Sequence, residues 1–310
     1  MQSSPMPVRP LPIVIALILA MSFMVAVLVG AKMVYNHSAH QPVAMSTLDT
    51  PESSSIECEE FLAALPTSVL GHPRADIVAP IPPGAAAWSS SSLERITARC
   101  GVNLPRQYTS LSNIVEVGGT RWLEVSDATP ASTLKTWYSV NRAKIIAITA
   151  DDLSLGDHPH PLEDIAAAVA IIPHQEFPPN PIPLSGLSSA VGPQQKAACQ
   201  EVLAALPNDL DSGYRRSTTD LGTEMVAWSA PGEEAIVVRC GVEYPQNYTA
   251  GAVLQQVNDI VWFEDVIVGN GTTASTWYAI NKSQVVAAHI PQARGNAALV
   301  AISQAISHHL

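Results

Sequence analysis

The run from Cys58 to Pro66 returns as Cys199 to Pro207, and it keeps Glu60, Leu62, Ala63, Ala64 and Leu65 as Glu201, Leu203, Ala204, Ala205 and Leu206. The later anchors follow in a register one residue shorter. Ala87-Trp88-Ser89 returns as Ala227-Trp228-Ser229, Arg99-Cys100-Gly101-Val102 as Arg239-Cys240-Gly241-Val242, and Trp122, Glu124, Trp137 and Asn141 as Trp262, Glu264, Trp277 and Asn281. Every tryptophan and every cysteine has a partner in the other half. A long-period self-similarity of this kind means that one structural unit is built twice. A motif present in one half only is correspondingly weaker as a clue to what the shared fold does.

The four cysteines, Cys58, Cys100, Cys199 and Cys240, are an even set with no C-x-x-C spacing, so they read as structural disulfides of an exported chain. Three pairings exist in principle. The repeat assigns Cys58 to Cys100 and Cys199 to Cys240, each closing a loop of about 40 residues, worth about 4 kcal/mol in the chain-entropy picture.

Leu11 to Ala31 carries no charged side chain, and a helix of about 20 such residues spans a bilayer core of roughly 30 Å. A cleaved signal peptide is the competing reading, because Arg9 precedes the run and Val29-Gly30-Ala31 has the small residues of a cleavage site. The run exceeds a usual signal core of about 7–15 residues, which favours a retained anchor. No cysteine near its end offers an acyl anchor. Flanking charge orients it weakly, with Arg9 before and Lys32 after. The cysteines place the remainder outside the cytoplasm.

Within a copy, Cys58 to Leu65 has helical spacing and ends at Pro66. Ile96, Ala98 and Cys100 alternate as a strand, as do Ile236, Val238 and Cys240. Gly118-Gly119 and Asn258-Asp259 occupy the same two-residue turn of a hairpin. Strands over 133–140 and 144–149, mirrored at 273–280 and 284–290, precede a closing helix over 162–172 or 297–308. The expected fold class is α+β: two similar small domains, each a mainly antiparallel sheet with a helix at either end and one disulfide, after an N-terminal transmembrane helix. The expected limits are a cytoplasmic N-terminus over 1–10, the transmembrane helix over 11–34, a polar stalk over 35–57, repeat domain 1 over 58–173, a Pro-rich linker over 174–195 and repeat domain 2 over 196–310.

Catalytic signatures are thin. Net charge −11 and pI ≈ 5.2 argue against a nucleic-acid partner, which needs a clustered basic face. Ser132 to Lys135 matches S-x-x-K, but it falls in a strand and the second copy has Thr272 to Ser275 instead. His158, His160, His308 and His309 lack partners at ligand spacing, so no metal and no cofactor is expected. The polar residues shared by both copies carry more information: Arg99 and Arg239, Glu124 and Glu264, Asn141 and Asn281, Arg74 and Arg215. Structural roles account for them first, with Arg99 pairing Glu124 and Asn141 filling a turn. If a binding site exists, its candidates are Arg99, Trp122, Trp137, Arg239, Trp262 and Trp277.

The helix that begins at a cysteine and ends Leu65-Pro66, the tryptophan before a strand, and Arg99-Cys100-Gly101-Val102 with Pro105, repeated as Arg239-Cys240-Gly241-Val242 with Pro245, resemble the actinobacterial family known as domain of unknown function 3515. Arg215-Arg216 after the first helix fits that pattern, whereas the first copy has Arg74 alone. The resemblance implies an actinobacterial envelope protein with no assigned activity, and the tandem copy departs from the single unit associated with the family. The expected function is a membrane-held, extracytoplasmic, non-enzymatic interaction or scaffold module, facing an envelope protein or wall polymer. The alternatives are a small-ligand site on the interdomain surface, or an envelope-acting hydrolase or transferase using Glu124 or Glu264 as acid or base.

Overall fold

The computed structural model describes residues 10–39, 41–47, 50–210, 213–266 and 272–310. Helix α1 (Pro10–Ala39) contains the apolar stretch Leu11–Val34, of mean hydropathy 2.9, and none of that stretch is buried against protein. A helix apolar on all sides and covered by nothing suits lipid, so this end and the disulfides together mark a single-pass membrane or secreted protein.

Each repeat forms an eight-stranded antiparallel sheet among the described residues. The first has α2 (Ile56–Ala64), β1 (Ser68–Val69), β2 (His72–Ala75), β3 (Ala85–Ser89), β4 (Arg95–Val102), β5 (Ile114–Val117), β6 (Thr120–Ser126), β7 (Lys135–Ser139), β8 (Ile145–Ala150), α3 (Asp152–Leu155) and α4 (Leu162–Val169). The second has α5 (Pro193–Ala205), β9 (Asp209–Leu210), β10 (Tyr214–Arg216), β11 (Met225–Ser229), β12 (Ile236–Val242), β13 (Leu254–Val257), β14 (Ile260–Asp265), β15 (Ala274–Ala279), β16 (Val285–Pro291) and α6 (Gly295–His309). The orders β1-β2-β3-β4-β8-β7-β6-β5 and β9-β10-β11-β12-β16-β15-β14-β13 are the same. The fold is α+β with two similar domains, and the hairpins turn at Gly118-Gly119 and Asn258-Asp259 as the sequence predicts.

The helices cover one face of each sheet. Period-two alternation sends Ile96, Ala98 and Cys100 to that face, where they meet Phe61, Trp88, Trp122 and Trp137. The second core repeats this with Val202, Trp228, Trp262 and Ile302. Two of the repeated motifs prove to be halves of one contact. The Trp88 indole N–H donates to the Pro66 carbonyl at 3.0 Å, and Trp228 does the same to Pro207 at 2.9 Å. The carbonyl exposed where proline ends the helix is thus satisfied by the tryptophan of the next repeated motif. Arg74 stacks over Trp88 at 5.0 Å and Arg216 over Trp228 at 5.9 Å. The counterpart of Arg74 is therefore Arg216, and the sequence pairing with Arg215 is corrected by register, since each stacking arginine lies opposite its tryptophan.

The bridges join Cys58 to Cys100 and Cys199 to Cys240, with Cα–Cα distances of 5.5 and 5.4 Å. Asn141 and Asn281 each accept from a backbone N–H of the hairpin, Arg121 and Val261, at 2.9 Å. Each also donates to the carbonyl of the turn, Gly119 or Asp259. They fill the turn, as expected.

The outer face of each sheet is crossed by the chain that precedes the repeat. In the first copy Val43 N donates to the Asp76 carbonyl at 2.8 Å and Val78 N to the Val43 carbonyl at 3.0 Å. In the second, Ala190 N donates to the Gly241 carbonyl at 2.9 Å. Parts of the segments read as stalk and linker therefore belong to the folded bodies.

Helix α6 is tied at its far end to the hairpin, where Ser307 donates to Asp259 and Lys282 lies 2.7 Å from the same carboxyl. These two donors hold Asp259 down to about 2, from an ordinary 3.8. A depressed carboxyl stabilises the fold above its ordinary pKa and loses that contribution as pH falls from 3.8 toward about 2. Thermal melting of the protein and of Asp259→Asn across this range should show the parent's advantage shrinking to nothing at the acid end. A gap independent of pH would refute the assignment.

Candidate functional site

The repeated Arg-Cys-Gly-Val run sits where the preceding segment crosses the sheet. Alternation along β4 puts Cys100 toward the helices and Arg99 on the outer face, where its guanidinium donates to the Ser46 carbonyl at 2.7 Å. Arg239 does more: it donates to the carbonyls of Leu184, Ser185 and Leu187 at 2.9, 3.2 and 2.7 Å and pairs with Glu224. Arg239 and Lys196 together hold the Glu224 carboxyl below its usual range, Lys196 most strongly. Gly101 and Gly241 follow at positive φ, +76° and +78°, within a bulge of the ladder. A Cβ at Gly101 would lie 2.5 Å from the Glu52 carbonyl carbon and the Ser53 nitrogen, and one at Gly241 would lie 2.5 Å from a Val191 methyl. Thus the arginine clasps the crossing segment, the cysteine staples the helix on the other side, and the glycine makes room.

The expected pairing of Arg99 with Glu124 does not form, because the two point to opposite faces. Glu124 lies across from Trp137 on the helix side and accepts from its indole N–H at 3.1 Å. Trp122, Trp137 and Trp262 are fully buried in the cores, whereas Trp277 is half-buried at the edge of its core. The six candidate binding residues are therefore not brought together: the two arginines clasp backbone on the outer faces, and the four tryptophans lie on the helix faces. Lys135 is paired with Asp152 at 3.1 Å and Ser132 Oγ accepts from Leu134 N, so neither is arranged as nucleophile or base. Among the described residues no cluster of three or more His, Cys, Asp or Glu could hold a metal.

Sequence reasoning allowed a ligand site on the interdomain surface but named none of the residues that form the junction of the repeats. Leu111 packs with Ala227 and Val237 on the outer face of the second sheet, beside Ile182 and Leu184. Ser126 N donates to the Gly232 carbonyl at 2.7 Å, and Asn180 ties the connecting segment to the carbonyls of Pro105 and Tyr108. Beside these contacts lies a cleft of about 400 Å³, with Arg106 and Gln107 from the first repeat, Asn180 from the connection, and Glu234, Thr276 and His289 from the second. His289 and Thr276 are cross-strand neighbours on one face. The His289 Nε2–H donates to Glu234 Oε1 at 3.1 Å, with side chains only 10% and 7% exposed. Glu234 Oε2 is buried and has no partner. A carboxylate oxygen in that position lacks the donor that buried acceptors normally have. In the first copy Glu94 stands where Glu234 does, but His289 is replaced by Thr149, which faces Thr136 across the strands with their hydroxyls 2.9 Å apart.

The family described as Protein of unknown function (DUF3515) matches the chain twice, over residues 17–177 and 178–310. The chain belongs to that family. No curated protein and no solved structure matches it. The two DUF3515 segments meet within the connection between the repeats, and each takes in the stretch that crosses its own sheet. Residues 182–190 thus fall in the same segment as Arg239, the side chain that clasps them.

Proposed function

We propose that this is a single-pass envelope protein, N-terminus in the cytoplasm and both repeats outside. It binds a small polar envelope constituent, without transforming it, in the cleft where the repeats meet. The apolar helix and the two disulfides support the location. The observation that carries the binding reading is the buried, unpartnered Oε2 of Glu234, a residue that lines a cleft with Arg106 and Asn180 in its walls. Such a site accepts an N–H donor at Glu234 and an acidic group at Arg106, the two ends of a zwitterion such as an amino acid or short peptide.

The test is thermal melting of the full-length protein in detergent against a panel of free amino acids and dipeptides. A ligand at a hundredfold excess over its Kd should add about 2.7 kcal/mol of stability. Glu234→Gln should abolish that gain while leaving the unliganded protein folded. If no panel member stabilises the parent and Glu234→Gln melts higher than it, the carboxylate is merely an uncompensated charge and the reading fails.

A further inference from the structure

A second pocket, of about 430 Å³, opens in the second repeat, on the helix side of the sheet and away from the cleft between repeats. The reason is a difference between the copies. In the first, β8 runs into α3 and a loop that brings His160 edge-on to Trp137, ring centroids 6.4 Å apart at 75°, and Trp137 is wholly covered. In the second, β16 passes through one turn, Gln292–Arg294, straight into α6, and among the described residues no ring takes the place of His160. Trp277, the counterpart of Trp137, is left half-buried with one side on the pocket, directly across the strands from Glu264. Gln255, Gln292, Arg294 and Asn296 supply the remaining polar wall, above an apolar floor that includes Ile236.

We infer that this pocket binds a neutral saccharide of about two rings. Three carboxamides can each donate and accept at once, which suits hydroxyl groups that do the same. A flat indole face suits the C–H face of a pyranose, as amphipathic aromatic surfaces do in ligand sites generally. A cationic ligand, the other partner of a tryptophan beside a carboxylate, meets the Arg294 guanidinium in the same wall. Among the described residues lining the pocket Glu264 is the only carboxylate, so the pair required for glycoside hydrolysis is absent and the sugar is held intact.

The tryptophans provide the readout. Trp88, Trp122, Trp137, Trp228 and Trp262 are each at most 1% exposed, which leaves Trp277 as the indole that a solvent quencher reaches. Acrylamide quenching of the full-length protein in detergent is measured with cellobiose, trehalose or N,N′-diacetylchitobiose, and with choline chloride as the cation control. At least one disaccharide should protect the quenchable component, and Glu264→Ala should raise the concentration needed by about tenfold, the worth of one hydrogen bond to a charged acceptor. Asn296→Ala, on the exposed start of α6, tests the same wall without touching the sheet. Protection by none of the sugars, protection by choline alone, or protection indifferent to both substitutions would overturn the inference.

Discussion

Replacing Gly101 by alanine is expected to destabilise the first repeat by about 3–4 kcal/mol, while the same change at Gly241 costs about 1–2 kcal/mol. The two positions share their backbone conformation, so the strain of placing an L-residue at positive φ is common to both and sets the smaller figure. What separates them is the obstacle. The new methyl at Gly101 meets the backbone of Glu52 and Ser53, which cannot rotate away and is anchored through the helix that follows. At Gly241 it meets the Val191 side chain, which can change rotamer. Denaturant unfolding of the two single variants, followed by far-ultraviolet circular dichroism, measures the difference. Equal losses at both sites would show that backbone strain alone governs this position and that the crossing segment moves aside freely.

The second large effect concerns the bridges. Cys58→Ala with Cys100→Ala, or Cys199→Ala with Cys240→Ala, should each cost about 2–5 kcal/mol. The disulfides span sequence separations of 42 and 41, so the entropy restored to the unfolded chain is nearly the same in the two halves. The consequences differ because α5, with 13 residues, is longer than α2, with 9, and packs on the 15-residue α6 where α2 packs on the 8-residue α4. The unbridged helix of the second repeat should therefore remain docked at temperatures where that of the first has frayed. Hydrogen exchange over α2 and α5 in the two double variants reads this directly. Faster exchange in α5 than in α2 would reverse the ranking.

Much of this architecture was legible because the chain states it twice. Alternation at Ile96, Ala98 and Cys100 gave the central strand, and two chemically different turn pairs at one position gave the hairpin. Three kinds of feature were not legible. The edge strands β1 and β9 have two residues each, too few for any period to register. The failed contact between Arg99 and Glu124 needed the parity of two strands that are not adjacent in the sheet, and sequence spacing does not relate them. The cleft required knowing that Leu111 meets Val237, a contact between repeats that no within-repeat pattern encodes. The divergence at His160 was visible as a local mismatch between the copies, but only packing shows that it uncovers Trp277.

The engagement of Val43 with the strand-side backbone of Asp76 and Val78 sets a mechanical limit. Helix α1 ends at Ala39, so four peptide steps separate it from the first anchored residue of the domain, a span of at most about 14 Å when fully extended. With Leu11–Val34 in a bilayer, the first repeat is leashed close to the membrane surface and cannot swing far from it. Any pull on the folded part is then passed to the lipid within a few bonds.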